Sequence, residues 1–177
     1  MGIERVFPEG SPSPRGPYSP AVRAGDFIFV SGQGPIDPAT DKVVGRYSVG
    51  QCKGNHGMAL DPEHHRAFLA CEGNNLMTVF DLDKHTPIAF LPLADGPDVI
   101  KFDAGLGRIY VACYSGALSV FHQDDPDHYR RLEDFRVQHA VHSLAIDSKT
   151  HRVYTPEQEE DGKAVARMVV YEAVTGP

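Results

Sequence analysis

The sequence predicts an all-β protein built mainly from three copies of one unit, and three observations carry that expectation. The first is a repeated phrase. Its second copy reads Gly96-Pro97-Asp98-Val99-Ile100-Lys101-Phe102-Asp103, then Arg108-Ile109-Tyr110-Val111-Ala112-Cys113, then Gly116-Ala117-Leu118-Ser119-Val120-Phe121. The first copy has His56-Gly57-Met58-Ala59-Leu60-Asp61, Arg66-Ala67-Phe68-Leu69-Ala70-Cys71 and Leu76-Met77-Thr78-Val79-Phe80. The third has His142-Ser143-Leu144-Ala145-Ile146-Asp147, Arg152-Val153-Tyr154 and Met168-Val169-Val170-Tyr171. The second observation is the spacing. Asp61, Asp103 and Asp147 stand 42 and then 44 residues apart, and Arg66, Arg108 and Arg152 keep the same two intervals. The third is the make-up of the runs: β-branched and aromatic residues alternate, as in Leu118 and Val120 against Ser119, and turn residues separate them. A period of about 40–45 residues with several short strands per unit is the signature of propeller blades. The expected architecture is about three antiparallel blades of a β-propeller, an incomplete ring, preceded by a proline-rich β leader.

Residues 1–50 stand outside the repeat and form that leader. Prolines at 8, 12, 14, 17 and 20 keep this stretch extended, because proline fixes φ and donates no hydrogen bond. Asp26-Phe27-Ile28-Phe29-Val30-Ser31 reads as a buried strand that ends at Gly32. Gln33-Gly34-Pro35 and Pro38-Ala39-Thr40-Asp41 are turn chemistry, followed by a weak strand at 42–44. Residues 51–177 hold the repeats, at about 54–93, 97–135 and 140–174. Strands are expected near 56–61, 66–71, 76–81 and 88–91; 99–103, 108–113, 117–122 and 130–135; 142–147, 152–154 and 165–172. The third unit ends before a fourth strand, and helix is nearly absent.

Composition narrows the function classes. A formal charge of −7 with no Lys/Arg cluster argues against a nucleic-acid partner, since phosphate binding draws on clustered positive charge. No apolar run approaches the roughly 18 residues of a membrane span. The N-terminal Met1-Gly2-Ile3-Glu4-Arg5 lacks the apolar core of a signal peptide, so the expected compartment is the cytoplasm. Three cysteines, an odd number without an export signal, do not suggest a disulfide framework. Cys71 and Cys113 are repeat equivalents at one strand end, which points to buried thiols with a packing role.

The candidate chemistry lies five residues before each landmark aspartate, at His56, Asp98 and His142. In a propeller these positions open the innermost strands, whose side chains converge on a central channel. Imidazole nitrogens with one carboxylate suit a divalent metal, zinc or iron. The same trio can serve as a general base with an orienting acid, as in lactone opening. The structural alternative is a polar ring that binds channel water. Around the channel, His64-His65 and His151 fall in solvated turns, and His139 is a candidate accessory ligand. The acidic run 157–161 reads as a solvated hairpin tip. No P-loop, dinucleotide fingerprint or Gly-x-Ser-x-Gly occurs.

Two resemblances bear on these readings. Gly16-Pro17-Tyr18-Ser19-Pro20-Ala21-Val22, Gly25-Asp26-Phe27-Ile28-Phe29-Val30-Ser31-Gly32-Gln33 and Ile36-Asp37-Pro38-Ala39-Thr40 resemble the opening of the Rid (reactive enamine/imine deaminase) family. The match covers about a quarter of the chain. It implies a small trimeric α/β domain with active sites between subunits, lined by the Tyr18 position and the Ser31-Gly32 turn. The essential arginine and acidic partner of that family come from a second half that repeats replace here after about Gly45. From Gly54 onward, Gly54-Asn55-His56-Gly57-Met58-Ala59-Leu60-Asp61, Pro97-Asp98-Val99, Arg108-Ile109-Tyr110-Val111-Ala112 and Thr150-His151-Arg152-Val153-Tyr154 resemble YVTN-type, lactonase-like β-propellers over about 125 residues. That likeness is specific for fold and weak for activity.

Propellers close with about 4–8 blades, and three leave open sheet edges and an apolar face. The chain is therefore expected either to be a fragment joined to a fragment or to complete itself by self-association, two chains of three blades giving a six-bladed ring. Alternatively, Phe27–Val30 supplies the fourth strand of the last blade. The expected role is a binding or scaffold protein whose channel takes a metal or small molecule. The alternatives are a lactonase-like hydrolase using a channel metal and a residual imine deaminase centred on Tyr18.

Overall fold

A computed structural model describes residues 3–6, 21–24, 27–30 and 43–174. Two compact units divide the chain, Met1–Tyr47 and Ser48–Pro177. The first contains β1 (Ile3–Val6), β2 (Ala21–Ala24) and β3 (Phe27–Val30), an antiparallel sheet in that order. Ile3 lies opposite Ala24, and Ala21 opposite Val30. Phe27–Val30 therefore pairs with β2 and does not complete the last repeat. The reason is local: two residues separate β2 from β3, the commonest spacing of a hairpin. Val43 and Val44, expected as part of a weak strand, are exposed and carry none.

The second unit holds three antiparallel sheets, one for each repeat. The first sheet is β4 (Asn55–Asp61), β5 (Arg66–Cys71), β6 (Leu76–Asp81) and β7 (Thr86–Pro92). The second is β8 (Pro97–Asp103), β9 (Arg108–Cys113), β10 (Ala117–Asp125) and β11 (His128–Arg136). The third is β12 (Ala145–Asp147), β13 (Arg152–Glu160) and β14 (Lys163–Glu172). Strands adjacent in sequence are adjacent in space throughout. One 3-10 turn, Glu72–Asn74, interrupts an otherwise all-β chain among the described residues. Among the described residues no helix is long and apolar enough to cross a membrane. The described residues do not close a ring.

The landmark aspartates explain why the repeat persists. Each ends the first strand of its sheet and accepts backbone N–H groups of the turn that follows. Asp61 accepts from His64 at 3.3 Å, Asp103 from Gly105 at 3.1 Å and Asp147 from Lys149 at 3.0 Å. Asp81 plays the same part between β6 and β7, accepting from Asp83 and Lys84. A short carboxylate that takes up turn donors two or three residues ahead offers the backbone an alternative to the ladder, and so stops the strand there.

The sheets bury their apolar faces against one another. Phe68, Met77 and Val79 of the first sheet share one core with Ile100, Ile109 and Phe121 of the second. Tyr110, Leu118 and Val120 on the other face of the second sheet join Leu144 and Val153 of the third. The strand period of two makes this possible, because each central strand is apolar on both faces and each face has its own neighbour. Gly57 allows β4 to approach β8 closely: a Cβ there would collide with the Asp98 carbonyl.

The cysteines differ from expectation. Cys71 is not a thiol; it forms a disulfide with Cys52, with Cα atoms 5.4 Å apart. Cys52 precedes the repeat, and the segment that carries it packs through Val49 and Cys52 on Ala67, Leu69 and Phe80. Cys113 is free and buried, and burial pushes its thiol up to about 11.

Candidate functional site

The expected channel trio is split by the structure. His56 Nδ1 lies 2.8 Å from Asp98 Oδ1, an exposed imidazole on a nearly buried carboxylate, and this pair joins the first strand of the first sheet to that of the second. The close approach that Gly57 permits is what brings them together. His142 is held elsewhere. Its Nδ1–H donates to the Ala140 carbonyl at 2.8 Å, and its ring stacks on Tyr114 with centroids 4.7 Å apart and planes within 5°. The backbone hydrogen bond fixes the Nδ1–H tautomer and leaves Nε2 as the acceptor. Among the described residues no group of three or more His, Cys, Asp or Glu side chains is placed to hold a metal ion. The physical reason is that His142 precedes β12, which starts only at Ala145, so the third repeat lacks the strand that would carry it inward.

The histidines read as solvated turn residues do more than expected. His64 Nδ1 contacts Asp61 Oδ2 at 2.7 Å, and Gln123 Nε2 donates to the same oxygen at 2.9 Å from the second sheet. Burial pushes the Asp61 carboxyl up, but the Gln123 and His64 hydrogen bonds outweigh it, and Asp61 lies below the usual carboxylate range. His151, in a turn of the third sheet, contacts Asp103 of the second at 2.8 Å. His65 meets Asp83 at 2.9 Å. The Gln123–Asp61 and His151–Asp103 contacts cross between sheets, so spacing along the chain gave no sign of them. The repeated motif Asp-to-Arg was the available signal, and it marks structural joints.

The repeat arginines are joints too. Arg66 Nε donates to the Pro126 carbonyl at 3.0 Å, and its Nη2 to Asp127 at 2.9 Å, reaching from the first sheet to the β10–β11 turn of the second. Arg108 donates to the Val174 carbonyl at 2.6 Å, just beyond β14 of the third. Arg152 instead folds back on Glu172 of its own sheet, at 2.6 Å.

A crevice of about 140 Å³ opens between the second and third sheets, lined in part by Arg108, Tyr110, Val153, Tyr171 and Glu172. The hydroxyl of Tyr110 is buried with no hydrogen-bond partner among the described residues. Tyr18, Ser31 and Gly32, expected to line an imine site, lie outside the described residues.

Comparison with known proteins gives a sequence match near the N-terminus and fold likenesses over most of the chain. A sequence model described as Endoribonuclease L-PSP matches residues 9–54. A RutC family protein of Pyrococcus abyssi is 54% identical over 44 residues, covering 25% of this chain and 35% of the relative. The 3-aminoacrylate deaminase RutC of Acinetobacter baylyi is 45% identical over 43 residues, covering 24% and 34%. The chain thus spans about a third of the length of the curated relatives it matches. Among solved structures, a chain of Kuenenia stuttgartiensis hydrazine synthase aligns at a TM-score of 0.62 and 18% identity, over 82% of this chain and 42% of that one. A Bacteroides uniformis protein assigned as a 6-phosphogluconolactonase aligns at 0.57 and 13%, over 87% and 44%. At such identities these likenesses speak for fold alone.

Proposed function

We propose that the chemistry of this chain is that of its RutC relatives: hydrolysis of a small enamine or imine, 3-aminoacrylate being the substrate named among them. The observation that carries the reading is the identity of about half the residues over the N-terminal match, spanned by the Endoribonuclease L-PSP model at residues 9–54. In such a reaction the enamine tautomerises to its imine, water adds to the C=N carbon, and the C–N bond breaks to release ammonia and leave a carbonyl. Tyr18 is the residue of this chain assigned to the site, where its hydroxyl would orient the water or the substrate carboxylate. RNA cleavage is not the reading adopted, because a chain of formal charge −7 without a basic cluster attracts phosphate poorly.

The second unit is read as an arc of propeller blades that serves as a scaffold, supported by the equivalence of its three sheets and by its fold likenesses. A lactonase-type channel metal is not part of this reading, because only His56 and Asp98 of the trio meet. The test is ammonia release from 3-aminoacrylate generated in situ, by the full chain and by Tyr18→Phe. The expected result is release above buffer that falls at least tenfold in the variant, a typical loss for one polar catalytic contact. No release above buffer would end the deaminase reading and leave the scaffold.

A further inference from the structure

Each sheet of the second unit repeats the same docking face, and in the third sheet that face is bare. Met77, Leu118 and Met168 occupy equivalent positions, since they pair across their sheets with Ala70, Ala112 and Pro156. Their exposures are 0%, 2% and 66%. The same holds for Val79, Val120 and Val170, of which only the last is exposed. It holds again for the aromatic ring between them: Phe68 and Tyr110 are buried, and Tyr154 is half exposed. What covers the first two sheets is also repeated. Ile100 of the second sheet and Leu144 of the third sit on the sheet before them, with 1% and 5% exposed. The equivalent residue of the first sheet is Met58, 62% exposed, and Leu60 beside it is exposed as well.

We propose that the third sheet of one chain docks on the first sheet of a second copy. On the side of β4 the contact repeats the one already made twice within the chain. Met168, Val170 and Tyr154 would be covered by Met58 and Leu60 of the second copy's β4. Arg152 would leave Glu172 for the second copy's β6–β7 turn, where Asp83 is exposed, much as Arg66 reaches Asp127 in the β10–β11 turn. The segment holding Val49 and Cys52 lies over another part of the first sheet's face, so the β4 side is what the partner meets. Two chains joined in this way at both ends give a ring of six sheets, within the usual range of about 4–8 blades. A closed ring stops at two copies, where an unclosed head-to-tail contact would grow into a filament.

The inference rests on the scaffold reading of the second unit and is independent of the deaminase. Light scattering after size exclusion of the full chain tests it, with Met58→Asp and Met168→Asp, both at exposed positions that a carboxylate leaves folded. Wild type is expected at twice the mass of one chain. Each variant alone is expected to run as a monomer, its apparent affinity weakened more than about tenfold by a buried unpaired charge. A one-to-one mixture of the variants is expected to recover part of the dimer, because one of its two contacts is then wild type at both positions. A monomeric wild type overturns the proposal. So does a dimer that Met168→Asp abolishes and Met58→Asp leaves intact, which would mean that two third sheets meet face to face.

Discussion

The side-chain amide of Gln123 donates to the Asp61 carboxylate across 2.9 Å, and so ties the end of β10 to the end of β4 in a different sheet. A carboxylate chosen to stop one strand thus also fixes the next sheet against it. Asp61 is almost fully buried, so its charge is held by these partners and not by water.

That arrangement sets an acid limit on stability. The folded Asp61 carboxyl lies below its ordinary value, so its contribution is complete above the ordinary carboxylate range and is lost as pH falls through the lowered value. Asp61→Asn is expected to lose about 1–2 kcal/mol at pH 7, where hydrogen bonds to a charged group disappear. The variant should also show a shallower fall in stability between about pH 5 and pH 2. Urea titrations across that range measure both effects. Parallel curves for the two proteins would assign the acid sensitivity to other carboxylates.

The equivalent arginines should behave unequally. Arg66 is nearly buried between two sheets, and Arg66→Ala removes the guanidinium that joins Asp81 of the first sheet to the Pro126 carbonyl and Asp127 of the second. A loss of about 2–3 kcal/mol is expected. Arg152 pairs with an exposed glutamate in its own sheet, so Arg152→Ala should leave the unfolding midpoint of the monomer unchanged. Denaturation of both variants side by side decides it, and equal losses would deny the inter-sheet role.

Thiol counting checks the cysteine arrangement. The chain has three cysteines, two of them bridged and the third buried with its thiol pushed up to about 11. A maleimide at pH 7 is expected to label none in the native protein, one after unfolding and three after unfolding with reductant. Cys52→Ser should cost about 3 kcal/mol, the order expected for a loop of this length, and is read from the shift in melting temperature.

Gly57 offers the fourth test. A methyl group there meets the Asp98 carbonyl, so Gly57→Ala must push β4 away from β8. A loss of about 1–3 kcal/mol is expected from this overpacking. The His56 imidazole should then lose its contact with Asp98, visible as a change in its ring NMR signals at fixed pH relative to wild type.

Much of the strand framework was legible because it is periodic. The expected runs at 66–71, 76–81 and 108–113 coincide with β5, β6 and β9, where β-branched and aromatic residues lie between an Arg or Leu and a turn. β13 runs on to Glu160 past Pro156, which sequence alone read as the end of the strand near Tyr154. Proline is tolerated there because β12 pairs only with Arg152–Tyr154, so at Pro156 β13 has a neighbour on one side alone, β14. The disulfide was hidden because Cys52 belongs to no repeat, and parity counting sees number and not position. The His–Asp contacts were hidden because His151 and Asp103, 48 positions apart, belong to different sheets. The convergence of His56, Asp98 and His142 assumed three equal inner strands, and the third sheet does not begin its strand at His142.

The arginine that joins one sheet to the next has a consequence for how such a chain can have grown. In the second unit the first two sheets offer a donor half, Arg66 or Arg108 with an apolar face, and the second and third sheets offer the acceptor half that receives it. A gene that copies one unit in tandem therefore adds a module that already fits both of its neighbours. Loss of a unit is equally simple, since the flanking modules present matching halves to each other. Length in this architecture is a countable variable, open to duplication and deletion without new sequence invention.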